Sequence, residues 1–213
     1  MNNVTWDLRY SGATTFPGII LWGAGGWNAG PAAAPGTYQV RMTVDGRTMT
    51  QPLIVKRHPL YEATDADLVE QFNLALQLRD KVTEANNAVI QIRAIKTQVA
   101  DRLGKSPDPA LKTAGDTLTK NLSAIEEEIY QVRNQSGQDP LNFPIKINNR
   151  LASLYSVITQ GDGKPIGNAA PIFRDLVGEL KVQTDRLGRV LAADFTAFNT
   201  NLRRLGLDPI ADK

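Results

Sequence analysis

The sequence predicts an α+β protein in which a small β-sandwich module precedes an elongated up-down bundle of four helices. All three Trp residues and several short alternating apolar runs lie before Pro59. From Thr64 onward, apolar residues recur every three or four positions, which is the period of an amphipathic helix. We therefore place a β module at 1–58 and a helical bundle at 59–213.

Four strands are predicted in the β module. The clearest pair is a hairpin, in which residues 37–44 alternate, Asp45-Gly46 makes the turn and residues 47–56 return. Asp-Gly is a strong hairpin signal because a type I′ turn needs positive φ at both central residues. Residues 4–8 also alternate, and residues 18–22 form a short apolar run that is typical of a more buried strand.

The β module is too short for a complete sandwich. Seven-stranded sandwiches take about 100 residues, and so small a domain buries only about 60% of its unfolded surface. We expect either a minimal sandwich or one whose first strands precede Met1. Its alternation places Trp6 in the module's core, with Tyr38, Val40, Met42 and Val44 on one face of the hairpin. Pro52 lacks an amide donor and should sit at an edge or a bulge.

The loop at 23–36 is the most irregular stretch, with Trp22 leading into it and Trp27 at its middle. Exposed indoles bind the apolar faces of sugars well, so Trp22 and Trp27 are the candidate ligand or partner contacts. The alternative is a packing role, in which Trp22 closes the small core and Trp27 covers the loop or contacts a neighbouring domain.

The second module reads as helices separated by breakers. Thr64 is a suitable cap for the first helix, and Pro109 takes the favoured first position of the second. At 1.5 Å per residue the first helix should be about 60 Å long. Short connections between consecutive helices favour antiparallel packing. The predicted helices run over about 64–104, 108–134, 146–160 and 170–205.

The sequence contains no recognisable catalytic, cofactor or metal site. Cys is absent, and His58 is the only histidine, so a two-histidine metal site or a thiolate site has no ligands. We interpret His58 as a linker residue. Glu126, Glu127 and Glu128 are neighbours on a helix and point in different directions, which predicts a solvated face rather than a catalytic carboxylate pair.

The charge and the hydropathy of the sequence argue against nucleic acids and membranes as partners of this chain. The net charge is +2 and no concentrated basic stripe is present, whereas phosphate-backbone binding needs one. No apolar run approaches the roughly 20 residues that cross a bilayer. The start of the chain has neither the basic nor the apolar region of an export signal.

Several motifs in the first 46 residues follow one pattern: residues 3–10 (NVTWDLRY), Phe16-Pro17-Gly18, Gly30-Pro31, residues 35–38 (PGTY) and residues 44–46 (VDG). This pattern resembles the C-terminal region of large bacterial secreted proteins that carry a sortilin-like β-propeller of BNR (Asp-box) repeats. Those proteins are described as glycosyl-hydrolase-like. Residues 4–56 also resemble the Ig-like module of flagellar hook-capping proteins.

The resemblance implies an Ig-like module, a secreted or periplasmic location and an upstream β-propeller on the same polypeptide. It supplies no catalytic residues, since no Asp-box repeat occurs in this sequence. We expect a non-catalytic accessory region that acts as a spacer or a protein-docking tail, with no cofactor. Dimerisation through an unpaired β edge is a further expectation. The alternatives are a carbohydrate-binding module that uses Trp22 and Trp27, or part of a glycosyl-hydrolase-like enzyme.

Overall fold

The computed structural model describes residues 3–212. The fold is mixed α+β and mostly helical, with one two-stranded antiparallel sheet and four helices. The fourth helix is interrupted by a π-helical segment, and a short 3-10 turn precedes the third. The elements are β1 (Gly36–Val44), β2 (Arg47–Val55), α1 (Asp65–Leu103), α2 (Pro109–Ile129), the 3-10 turn (Asp139–Leu141), α3 (Ile147–Thr159), α4 (Ala169–Val190), the π segment (Leu191–Phe195) and α5 (Thr196–Arg204).

The β1–β2 hairpin is confirmed, with its turn and its register. Asp45 and Gly46 have φ values of 47° and 76°, the two positive angles that a type I′ turn requires. Gly36 lies opposite Val55 at the root, and Val44 lies opposite Arg47 beside the turn. Because the sheet has two strands, each strand is an edge, and Pro52 sits on one as expected.

The predicted Ig-like sandwich is not confirmed, and the strands predicted at 4–8 and 18–22 are wrong. Residues 4–34 are irregular, with one isolated bridge between Arg9 and Ala32. The chain also crosses itself here too closely for any side chain. A Cβ on Gly12 would lie 1.8 Å from the Asn28 carbonyl oxygen, and one on Gly30 would lie 1.8 Å from the Tyr10 carbonyl oxygen.

Polar side chains of the helices replace the missing strand partners. The Ile20 amide donates to the Tyr130 hydroxyl at 3.1 Å, and the Trp22 amide donates to Asn149 Oδ1 at 2.7 Å. The Tyr155 hydroxyl donates to the Ala29 carbonyl at 2.6 Å. Since backbone groups buried without partners are costly, these bonds allow an irregular segment to lie against the helices.

One hydrophobic core joins the irregular segment to the helices. Ala13, Phe16 and Ala24 belong to the same buried cluster as the apolar stripe of α1. Phe16 meets the Tyr130 ring edge-on, with centroids 5.2 Å apart, and lies 4.9 Å from the Arg93 guanidinium. Trp6 was predicted in the core but is 41% exposed and packs against Tyr38 instead. The hairpin, rather than the whole of 1–58, is therefore the part that stands apart from the helices.

The helix starts follow the sequence closely, whereas one helix end does not. Thr64 and Asp67 form a capping box at α1, and Asp108 accepts the Leu111 amide at the start of α2. The second helix was predicted to reach 134 but ends at Ile129. The backbone of Tyr130 is extended there, and its buried side chain places the hydroxyl beside the Ile20 amide.

Replacing Phe16 by Ala tests whether the irregular segment belongs to the helical core. We expect Phe16→Ala to lower the free energy of unfolding by about 3–5 kcal/mol, because a buried aromatic leaves a cavity. Val40→Ala is the control, since Val40 is half exposed on the hairpin and should change the free energy by about 0.5 kcal/mol or less. Urea unfolding followed by helical circular dichroism measures both. An unchanged midpoint in Phe16→Ala would contradict the shared core.

Candidate interaction surface

The hairpin presents an apolar face to solvent. Directly paired residues of an antiparallel sheet lie on the same side, so apolar residues of both strands share this face. Val40, Met42, Val44 and Met49 are each 50–54% exposed. The hairpin face consists of Tyr38, Val40, Met42, Val44, Met49, Leu53 and Val55, together with the polar residues Arg47 and Gln51 of β2. The predicted alternation of β1 is therefore correct. In the part of the chain that the structure describes, Tyr38 and Leu53 at the base of the hairpin are partly buried, whereas the outer residues of this face are exposed.

Charge is distributed unevenly along the hairpin. Asp45 and Arg47 offset each other at the tip, whereas Lys56 and Arg57 follow β2 at the root. Arg57 donates to the Tyr61 carbonyl at 2.6 Å, and its Nε lies 3.4 Å from Asp65 Oδ1. These contacts attach the root to the start of α1. An exposed apolar face with a polar surround is typical of a protein interaction site.

A cavity of about 280 Å³ lies at the hairpin root, between Arg9, His58, Tyr61 and Asp162. The His58 ring packs against Tyr61 with centroids 5.0 Å apart, and its Nδ1 accepts the Leu60 amide at 3.3 Å. The nearby Asp162 carboxylate raises the pKa of the Tyr61 phenol above its ordinary value. Ligand pockets usually measure about 300–1,000 Å³, and we assign this cavity no ligand.

The two candidate Trp residues have different environments. Asn149 holds both the amide and the carbonyl of Trp22 at 2.7 Å, while the side chain is 41% exposed. Trp27 is partly buried against the hydrophobic core. The packing alternative thus describes Trp27, and Trp22 has an indole that is open to solvent. A role for either residue in ligand or partner contact stays a prediction.

The acidic run of α2 is not a uniformly solvated face. Glu127 and Glu128 are exposed, but Glu126 is buried. Its two carboxylate oxygens lie 2.6 Å from Arg93 Nε and 3.0 Å from Lys96 Nζ. The missed signal is spacing, because Glu126 lies four residues after Leu122 and three before Ile129, on the apolar stripe of the helix. This ion cluster joins α2 to α1.

The described residues contain no group of three or more His, Asp or Glu side chains that could hold a metal ion. None of the helices in the described part of the chain combines the length and the apolarity of a membrane span. No protein-family model, curated protein or solved structure matches this chain.

Replacing Glu126 by Gln tests the buried ion cluster. We expect Glu126→Gln to lower the free energy of unfolding by about 1–3 kcal/mol, less than for a fully buried pair because Arg93 and Lys96 remain partly solvated. Glu127→Gln removes the same charge from the exposed neighbour and should change it by about 0.5 kcal/mol at most. Chemical denaturation at neutral pH compares the two variants. Equal effects would show that burial of Glu126 has no energetic consequence.

Proposed function

We propose that this chain is a non-catalytic interaction module, in which an elongated four-helix bundle carries the β1–β2 hairpin as its protein-docking element. One observation supports this most strongly: the hairpin face is open to solvent on a sheet of two strands. A two-stranded sheet is at best marginally stable in water by itself. A partner that covers the face would therefore stabilise both the hairpin and the complex.

The helices suit the role of a spacer. The 39 residues of α1 extend over about 58 Å at 1.5 Å per residue. In the setting that the family resemblance implies, the chain belongs to a secreted or periplasmic protein. The partner is then an upstream β-propeller of the same polypeptide, and any sugar chemistry belongs to that propeller.

The ionisable groups most suggestive of chemistry have structural partners, which supports a non-catalytic role. Glu126 is held between Arg93 and Lys96. His58 accepts the amide of Leu60 in the connection to α1. A carbohydrate-binding module is the second candidate, because Trp22 has an open indole. We rank it second because Trp27 is partly buried in the core and does not extend that platform.

The oxidation rates of Met42 and Met49 report whether the hairpin face is covered, because these residues lie opposite each other on that face and are half exposed. Their rates of oxidation by peroxide are to be compared in the dilute chain and in the longest polypeptide that its gene encodes. We expect rapid oxidation in the dilute chain and at least about fivefold slower oxidation where a partner covers the face.

Two variants serve as controls for this comparison. Val40→Glu places a charge on the hairpin face and should restore rapid oxidation in the longer polypeptide, whereas Arg41→Glu changes the opposite face and should not. Equal oxidation rates in the two polypeptides would contradict docking of the hairpin face. A gene that encodes nothing beyond this chain would remove the propeller from the proposal.

A further inference from the structure

We propose that the hairpin also pairs with a second copy of this chain, through the outer edge of β1. The two hairpins then form one antiparallel sheet of four strands in the order β2–β1–β1–β2, with a two-fold axis at its centre. This inference rests on the interaction role proposed above and adds a contact at the edge of the hairpin, which leaves the apolar face free for the docking partner. In such an interface the same surface of both copies must be self-complementary.

The hairpin register identifies the backbone groups that face outward. In the Asp45-Gly46 turn the Val44 carbonyl accepts the Arg47 amide, so Val44 and Arg47 form a hydrogen-bonded pair. Hydrogen-bonded and non-hydrogen-bonded pairs alternate along an antiparallel sheet. The amides and carbonyls that point away from the hairpin therefore belong to the pairs Thr43–Thr48, Arg41–Thr50, Gln39–Pro52 and Thr37–Ile54.

The two outer edges differ in their capacity to accept another strand. Pro52 has no amide hydrogen, so the edge of β2 lacks a donor near its middle, and a proline at such a position blocks strand addition. The edge of β1 has a donor at each outward-facing residue, namely Thr37, Gln39, Arg41 and Thr43. The hairpin thus has one blocked edge and one open edge.

The nine residues of β1 are self-complementary about Val40. With a two-fold axis at Val40, Thr37 faces Thr43 of the second copy and Tyr38 faces Met42 of the second copy. Gln39 faces Arg41 of the second copy, so no like charges meet. Sliding the register by two residues toward the turn would bring the two Arg41 side chains directly opposite each other, which is unfavourable. A slip by one residue would turn the apolar faces to opposite sides.

The pairing supplies as many hydrogen bonds as a specific interface usually has. The outward-facing residues of the two copies would exchange about eight hydrogen bonds, within the usual range for protein interfaces. The helical parts would lie at opposite ends of a strand about 30 Å long. Val40, which is 52% exposed, would contact Val40 of the second copy.

Prolines placed on the two edges give a matched test, with sedimentation velocity of the full chain as the measurement. Thr43 and Thr48 lie opposite each other, with their hydroxyl oxygens 3.0 Å apart, so Thr43→Pro and Thr48→Pro lose the same side-chain contact. Only Thr43→Pro removes a donor from the β1 edge. We expect the unmodified chain and Thr48→Pro to dimerise and Thr43→Pro to be monomeric, all with the same helical circular dichroism.

Charge variants at Gln39 test the register without changing the backbone. The symmetric dimer contains two contacts between residue 39 of one copy and Arg41 of the other. Gln39→Glu should therefore lower the dissociation constant of the dimer and Gln39→Lys should raise it, each by roughly fivefold to tenfold. Equal dissociation constants for these variants would overturn the pairing about Val40. A chain that stays monomeric at every concentration, or equal disruption by Thr43→Pro and Thr48→Pro, would overturn the β1 edge. A monomeric chain whose Met42 and Met49 are still protected in the longer polypeptide would remove the second copy and leave the docking role intact.

Discussion

The arrangement of this protein depends on hydrogen bonds between helix side chains and the backbone of the irregular segment. Tyr130, Asn149 and Tyr155 project from the helices or their ends and satisfy amides and carbonyls of residues 20–29. A segment without strand partners would otherwise leave these groups buried and unpaired, at a cost of about 1–3 kcal/mol each. The bonds let Phe16 and its neighbours enter the helical core.

A consequence of that attachment is that residues 13–24 join the core while the hairpin stays outside it. Tyr38 and Leu53 fix its root, while Val40, Met42 and Met49 extend from it with about half of their surface exposed. The alternation that ordinarily buries one side of a strand is present in β1 without a covering layer. The open apolar face underlies the docking role, and the unpaired edge of β1 beside it underlies the proposed pairing of two copies.

The sequence was most informative where local rules govern structure. The positive φ required at Asp45 and Gly46, the cap at Thr64 and the apolar spacing of α1 each depend on nearby residues, and all three predictions agree with the structure. The strand at 4–8 was predicted from period-2 alternation and the strand at 18–22 from a short apolar run, and both predictions are wrong. The amides of Ile20 and Trp22 bond to side chains 110–127 residues away, and short-range sequence patterns contain no information about such contacts.

In the candidate surface, too, nearby residues predicted some features, whereas others depend on distant contacts. The pattern of β1 predicted which residues share a face, but not that the face would be open, because burial depends on what packs against it. Glu126 was missed because charged residues are rarely buried without partners, and its partners lie on another helix. Trp6 is exposed although its alternation predicted a core position, whereas Trp27 is partly buried, in agreement with the packing alternative.

Amide hydrogen exchange of the dilute chain tests the central claim most directly, since it reads the attached segment and the hairpin in one experiment. The Ile20 and Trp22 amides should exchange about as slowly as interior amides of α1, because their bonds to Tyr130 and Asn149 open only with the core. The outward-facing amides of Gln39 and Arg41 should exchange rapidly. Rapid exchange at Ile20 and Trp22, equal to that of Gln39 and Arg41, would contradict the attachment of the irregular segment to the helices.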